Sequence, residues 1–189
     1  MAATLMMIAA SAARGAAPAS SLTAPAPSSA PGPAAPGAKA RDPAVQAAGL
    51  FMQSCVQFAA QPEALRQWIK SKHLKPVPKP YANDFLYGLP GVVYNATTAA
   101  GKLVLVSQDG GSCSVVAESA QGAALLDQLE TDLKAAGIAY NVTADGPDPL
   151  EKDLHNRAYD ASSGGKHWLM LVSTVNDSAG GEAMLTTNP

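Results

Sequence analysis

The stretch "VYNATTAAGKLVLVS" (Val93–Ser107) returns further along the chain as "AYDASSGGKHWLMLVS" (Ala158–Ser173). Tyr94 matches Tyr159, Asn95 matches Asp160, and Leu103–Ser107 matches Leu169–Ser173. In each copy a turn of small residues links two strand-like runs, and a second Gly-containing turn leads to one more strand. The reading is a three-stranded meander used twice, each copy preceded by helical sequence; convergence of two similar hairpins on similar residues stays open. Two copies are too few for a solenoid, which needs three or more. The pattern predicts an α+β domain, with helices on one face of a largely antiparallel sheet.

The remaining elements fit that frame. Asp42-Pro43 is a helix start, with Asp as N-cap and Pro at the first helical position. Val45, Ala48, Met52, Cys55 and Ala59 follow at helical spacing, flanked by Phe51 and Phe58. A second helix restarts at Gln61-Pro62-Glu63 with Leu65, Trp68 and Ile69 inward and Arg66, Lys70 and Lys72 toward water. The prolines of "HLKPVPKPY" (73–81) force an extended segment, and 83–89 can form one further helical turn. Strands are expected over 91–96, 102–107, 112–118, 138–143, 153–161, 166–174 and 182–187, with a helix over 119–136 stopped by Gly137. "DGPDP" (145–149) reads as a loop. Leu103–Val106 and Trp168–Val172 are apolar on both faces, which suits central strands covered on both sides.

Ahead of this domain the composition changes. Residues 1–13, "MAATLMMIAASAA", resemble the apolar part of a secretory signal, with Ala10-Ser11-Ala12 as an A-x-A cleavage site. No Lys or Arg precedes the apolar run, so a disordered Ala-rich terminus is the alternative. Residues 14–41 are rich in Pro, Ala and Ser and read as a disordered, semi-rigid tether. No run reaches the roughly 20 apolar residues that a spanning helix needs. Periplasmic or secreted placement follows if the leader works, and cytoplasmic placement if it does not. From Asp42 onward ten basic residues face fifteen acidic ones in a single domain spanning 42–189. That balance lacks the basic footprint of nucleic-acid binding and disfavours an anionic membrane surface.

Candidates for chemistry are few. Cys55 lies on the apolar stripe of the first helix, and alternation aims Cys113 at the core side of its strand. In an exported protein the pair is most simply a disulfide; a reactive thiol and two independent buried thiols stay open. No CxxC or HxxxH companion supports a metal, and no cofactor motif is present. "GGSCS" (110–114) only superficially suggests a nucleophile elbow, because Ser112 leads into a strand where that motif requires a helix. His155, with Asp153 and Glu151 nearby and Asp160 beyond, can form a general-base site; a solvated strand edge explains the same residues. His167 beside Trp168 reads as a buried structural residue, and His73 as a helix-end residue. The sequons at Asn95, Asn141 and Asn176 are taken as chance.

"FMQSCVQFAAQPEALRQWI" together with "GKLVLVSQDGGSCSVVAES" resembles a family of small, uncharacterised exported proteins and lipoproteins of proteobacteria, patterned FMxxC and later DGGxCSV. The resemblance covers roughly residues 45–143 and implies export and a paired Cys55–Cys113; it brings no activity. No lipid-attachment cysteine follows the apolar leader, unlike in the lipoprotein members. The leading expectation is a non-catalytic binding or scaffold domain for a protein or envelope component. The alternatives are a small hydrolase or transferase with a site at His155, and an inhibitor or immunity-type partner of an exported enzyme, which the acidic charge suits.

Overall fold

The computed structural model describes residues 42–175 and 181–189; the leader and tether expected over 1–41 and the sequon at Asn176 lie outside the described residues. Asp42 caps the first helix, α1 (Pro43–Phe51), its carboxylate accepting from the Ala44 N–H at 2.8 Å. The helix runs on into a π-helical segment, Met52–Val56. A π turn holds an extra residue and so rotates everything beyond it relative to an α-helical stripe. Ahead of it, the buried stripe of α1 is Ala44, Ala47, Ala48 and Phe51, so Phe51, expected at the flank, is wholly buried, while Val45 and Met52 are only half-buried.

Helix α2 (Pro62–Ser71) buries Leu65 and Ile69. Arg66 corrects its expected place in water: it donates to the Ser107 carbonyl at 3.1 Å and pairs with Asp109, docking α2 on the sheet. Strand β1 (Lys75–Pro76) and helix α3 (Lys79–Leu86) follow, the helix longer than the single turn expected because Pro80 is accommodated in its first turn. Then come β2 (Gly91–Asn95), β3 (Leu103–Gln108), β4 (Cys113–Glu118) and helix α4 (Gly122–Ala135). Gly137, at φ +67°, ends that helix in the left-handed conformation that glycine adopts without cost. Strands β5 (Ala139–Pro147), β6 (Leu154–Ser163), β7 (Lys166–Val175) and β8 (Glu182–Asn188) complete the chain.

The eight strands of the described residues form one antiparallel sheet in the order β1-β2-β3-β4-β8-β7-β6-β5. Two meanders, β2–β4 and β6–β8, thus meet along the β4–β8 seam. The sequence echo does not carry through to their register. Tyr94 lies opposite Leu105, whereas Tyr159 lies opposite Met170. That offset of one residue reverses the faces: Leu103 and Leu105 point into the main core, but Leu169 is 55 % exposed on the outside.

The main core lies between the sheet and α1, the π segment, α2 and α4. Inside it Cys55 and Cys113 form a disulfide, with 5.2 Å between their Cα atoms. The helices are not confined to one face. Ala82 and Leu86 of α3 pack on Val93 and Val106 from the opposite side of the sheet. The reason is in the alternation: β2 carries valine on both faces, and β3 carries leucine on one and valine on the other, so each face needs a cover. Because α3 covers only that end, the outer face of β4, β8 and β7 is left uncovered by the described residues.

Candidate functional site

Two places gather side chains with chemical potential. The first is on the helix face at the β5–β6 edge. "DGPDP" is not a loop from its start, since Asp145–Pro147 continue β5 beyond a bulge at Thr143. Without the extra residue Asp145 would face outward; the bulge turns it inward, opposite Arg157. Arg157 donates to Asp145 at 2.7 Å and to Glu130 of α4 at 3.0 Å. His155 Nε2 meets the other Asp145 oxygen at 2.6 Å, and the Tyr140 and Tyr159 hydroxyls donate to Glu130. Hydrogen bonds from Arg157 first, and His155 second, lower Asp145 to about 2 from the ordinary 3.8. Burial, the largest influence on Tyr159, raises its pKa, so it stays a neutral donor.

The structure rearranges the residues expected to form a His155 site. Asp153 stands exposed in the turn before β6. Asp160 is five residues from His155 on one strand and so faces the other side of the sheet, 4.0 Å from His167. His167 is itself exposed, not buried beside Trp168. The carboxylate that meets His155 is Asp145, which sequence reasoning had placed in a loop. The resulting cluster is a clamp: Arg157 is held between two carboxylates and ties the edge strands to α4.

The second place is the outer face. Cross-strand pairing sets Val116 beside Met184 and Met184 beside Ser173; the neighbouring row runs Glu118, Glu182, Val175, Leu154. Phe85 and Tyr87 of the α3 end form one wall, Glu151 and Leu154 the other, enclosing a trough of about 460 Å³. The second wall is built by hydrogen bonds. Ser173 in the floor donates to Asn156 at 2.6 Å, and Asn156 donates to Asp148 at 2.9 Å. Asp148 accepts in turn from the backbone N–H groups of Leu150 and Glu151, which hold its carboxyl below the usual range. Asp84, Glu151 and Glu182 stand at the trough on three separate elements, and among the described residues none of them forms an ion pair. Lys102 neutralises the neighbouring Glu118 at 2.9 Å and leaves Glu182 uncompensated.

In the trough wall and next in sequence to it are large apolar side chains left exposed. Tyr87 is 80 % exposed and Leu150, beside Glu151, is 91 % exposed. Tyr87 also ends α3 in the left-handed region at φ 49°, a conformation unfavourable to any residue with a Cβ. A second depression, about 560 Å³, lies on the helix face beside the π segment and Trp168, and has no convergent charge. Among the described residues no group of three or more His, Cys, Asp or Glu is placed to hold a metal ion, and no helix is long and apolar enough to cross a membrane.

Neither family models, nor curated proteins, nor solved structures match the chain. The trough was not legible in the sequence because its residues come from the α3 end, five strands and a turn. The one available signal was the apolar outer face of β7, a strand expected to be covered on both sides.

Proposed function

We propose that this chain is an exported, non-catalytic binding domain for a protein or cell-envelope component, and that the outer trough is its recognition surface. One observation carries the reading. An apolar floor of Val116, Val175 and Met184 is rimmed by a protruding Tyr87 and by three acids that form no ion pair among the described residues. Contiguous exposed apolar surface with a polar rim is the usual form of an interaction site, and tyrosine is enriched among the anchors of such surfaces. Export is supported by the Cys55–Cys113 bond, which suits an oxidising compartment, and by the resemblance to exported proteobacterial proteins.

The test is photo-cross-linking in cells that produce the protein, with the reactive residue at position 87 and, as control, at exposed Lys70 on the opposite side of the sheet. A discrete adduct from position 87, absent from position 70 and lost on Met184→Asp, is the expected result. No adduct from 87, or the same adduct from both positions, overturns the reading. Alkylation of native material without reductant checks export: two reactive thiols would count against it.

A small hydrolase or transferase is the second reading, and the His155–Asp145 hydrogen bond is what favours it. It requires that His155→Ala abolish turnover of an ester or amide panel that the wild-type chain hydrolyses. Retained turnover, or none in the wild type, removes it.

A further inference from the structure

We infer that the segment received by the trough is cationic: a stretch of a partner protein carrying Lys or Arg next to apolar side chains. This rests on the trough being the recognition surface and specifies what it selects. Asp84 comes from α3, Glu151 from the turn before β6 and Glu182 from β8, so negative charge approaches the same apolar floor from three directions. Among the described residues these carboxylates have no counter-ion, whereas Asp109, Glu118, Glu130 and Asp145 are paired with nearby cations. Elsewhere on the same face it places Lys102 against Glu118, yet Glu182, directly opposite Glu118, is left as an unneutralised like charge. Like charges facing each other across a sheet are unfavourable, and a cation arriving from outside relieves that arrangement. Lys and Arg suit the site because their methylene stems lie on apolar surface while the charged ends stay at the rim.

A protein segment fits better than a small molecule. The trough is open along the sheet, and Leu150, next to Glu151 but outside the trough lining, is 91 % exposed, so a ligand confined to about 460 Å³ would leave it uncovered. An anionic membrane is repelled by the same three carboxylates. The wall carrying Leu150 and Glu151 is held by the Ser173–Asn156–Asp148 chain, so the rim is set before a partner arrives.

The experiment uses the full, oxidised chain and three end-capped fluorescent peptides of about nine residues, alternating Leu with Lys, Gln or Glu, read by anisotropy. The Leu/Lys peptide is expected to bind and the Leu/Glu peptide not to bind. Replacing the rim acids together (Asp84→Asn, Glu151→Gln, Glu182→Gln) should weaken Leu/Lys binding about tenfold or more, as should raising salt, because the attraction is Coulombic. An amide spectrum matching wild type shows that the variant is folded. Equal binding of the Leu/Gln and Leu/Lys peptides, both lost on Met184→Asp, overturns the cationic specificity while leaving the trough as the surface. Unchanged Leu/Lys binding in the rim variant, or binding of no peptide, also overturns it; the cross-link from position 87 decides the underlying reading independently.

Discussion

Asp145 reaches Arg157 and His155 only because Thr143 bulges out of β5, and its pKa records the result. A carboxylate whose pKa is lower in the folded than in the unfolded chain stabilises the fold above the unfolded value. The contribution is lost as pH falls through the folded value. The relevant window runs from the ordinary 3.8 down to about 2. Acid titration of the denaturant midpoint should therefore show a smaller loss over that window in Asp145→Asn than in wild type; identical slopes would mean the ion pairs contribute nothing. Tyr87 presents the converse case, an exposed ring on a strained backbone. Tyr87→Gly relieves the left-handed strain and should raise the unfolding free energy by up to about 1 kcal/mol, while removing the trough's protruding aromatic and weakening the cross-linkable partner. A stabilised variant with undiminished partner binding would show that the ring has no role at the surface.

At the scale of elements, the fold depends on two junctions between helix and sheet. The first is the bond from the π segment to β4, which closes a loop with a sequence separation of 58. In the chain-entropy account such a cross-link stabilises by about 4 kcal/mol. The double variant Cys55→Ala/Cys113→Ala should lose about that much in urea unfolding, and a loss near zero would show that the core holds the junction unaided. The second is the entry to β2 beneath α3. A Cβ on Gly91 would lie 2.7 Å from the Ser107 carbonyl oxygen and 2.9 Å from Leu86 Cδ2. One obstacle is backbone and the other belongs to the helix that covers the outer face, so neither yields freely. Gly91→Ala should cost about 1–3 kcal/mol and perturb the α3 wall of the trough, measurable as amide shifts at Phe85 and Tyr87. The strands themselves were legible as alternating runs. The α3 placement was not, since the apolar residues on both faces of β2 and β3 predict a cover on both faces without saying which helix supplies the second.

Across the whole molecule, charge is divided by purpose. The helix-face carboxylates Glu130 and Asp145 are neutralised by Arg157, and the trough carboxylates form no ion pair among the described residues. Salt should therefore act in opposite directions on two observables: modestly lowering stability through the partly exposed clamp, and weakening partner binding more steeply. Measuring unfolding midpoint and peptide affinity over the same salt series checks this; parallel responses would argue against separate roles. The candidate residues His155 and Asp160 illustrate why the site was hard to foresee. They are close in sequence, but an odd spacing on one strand sends them to opposite faces. Asp145, ten residues from His155, becomes its partner through the bulge and the β5–β6 pairing.

By itself the sequence determined the elements and their class. Prolines, a capping Asp, a stopping Gly and period-two alternation act on near neighbours, and those local effects were enough to predict helices packed on an antiparallel sheet. Alternation likewise aimed Cys113 at the core side, where the first helix carries Cys55. Register, the face covered by α3 and the convergence of Asp84, Glu151 and Glu182 were decided by the tertiary structure alone. They depend on which strands become neighbours and on a one-residue bulge or offset, and a shift of one residue reverses every side chain along a strand. Local patterns carry no information about that choice; packing of the complete sheet makes it.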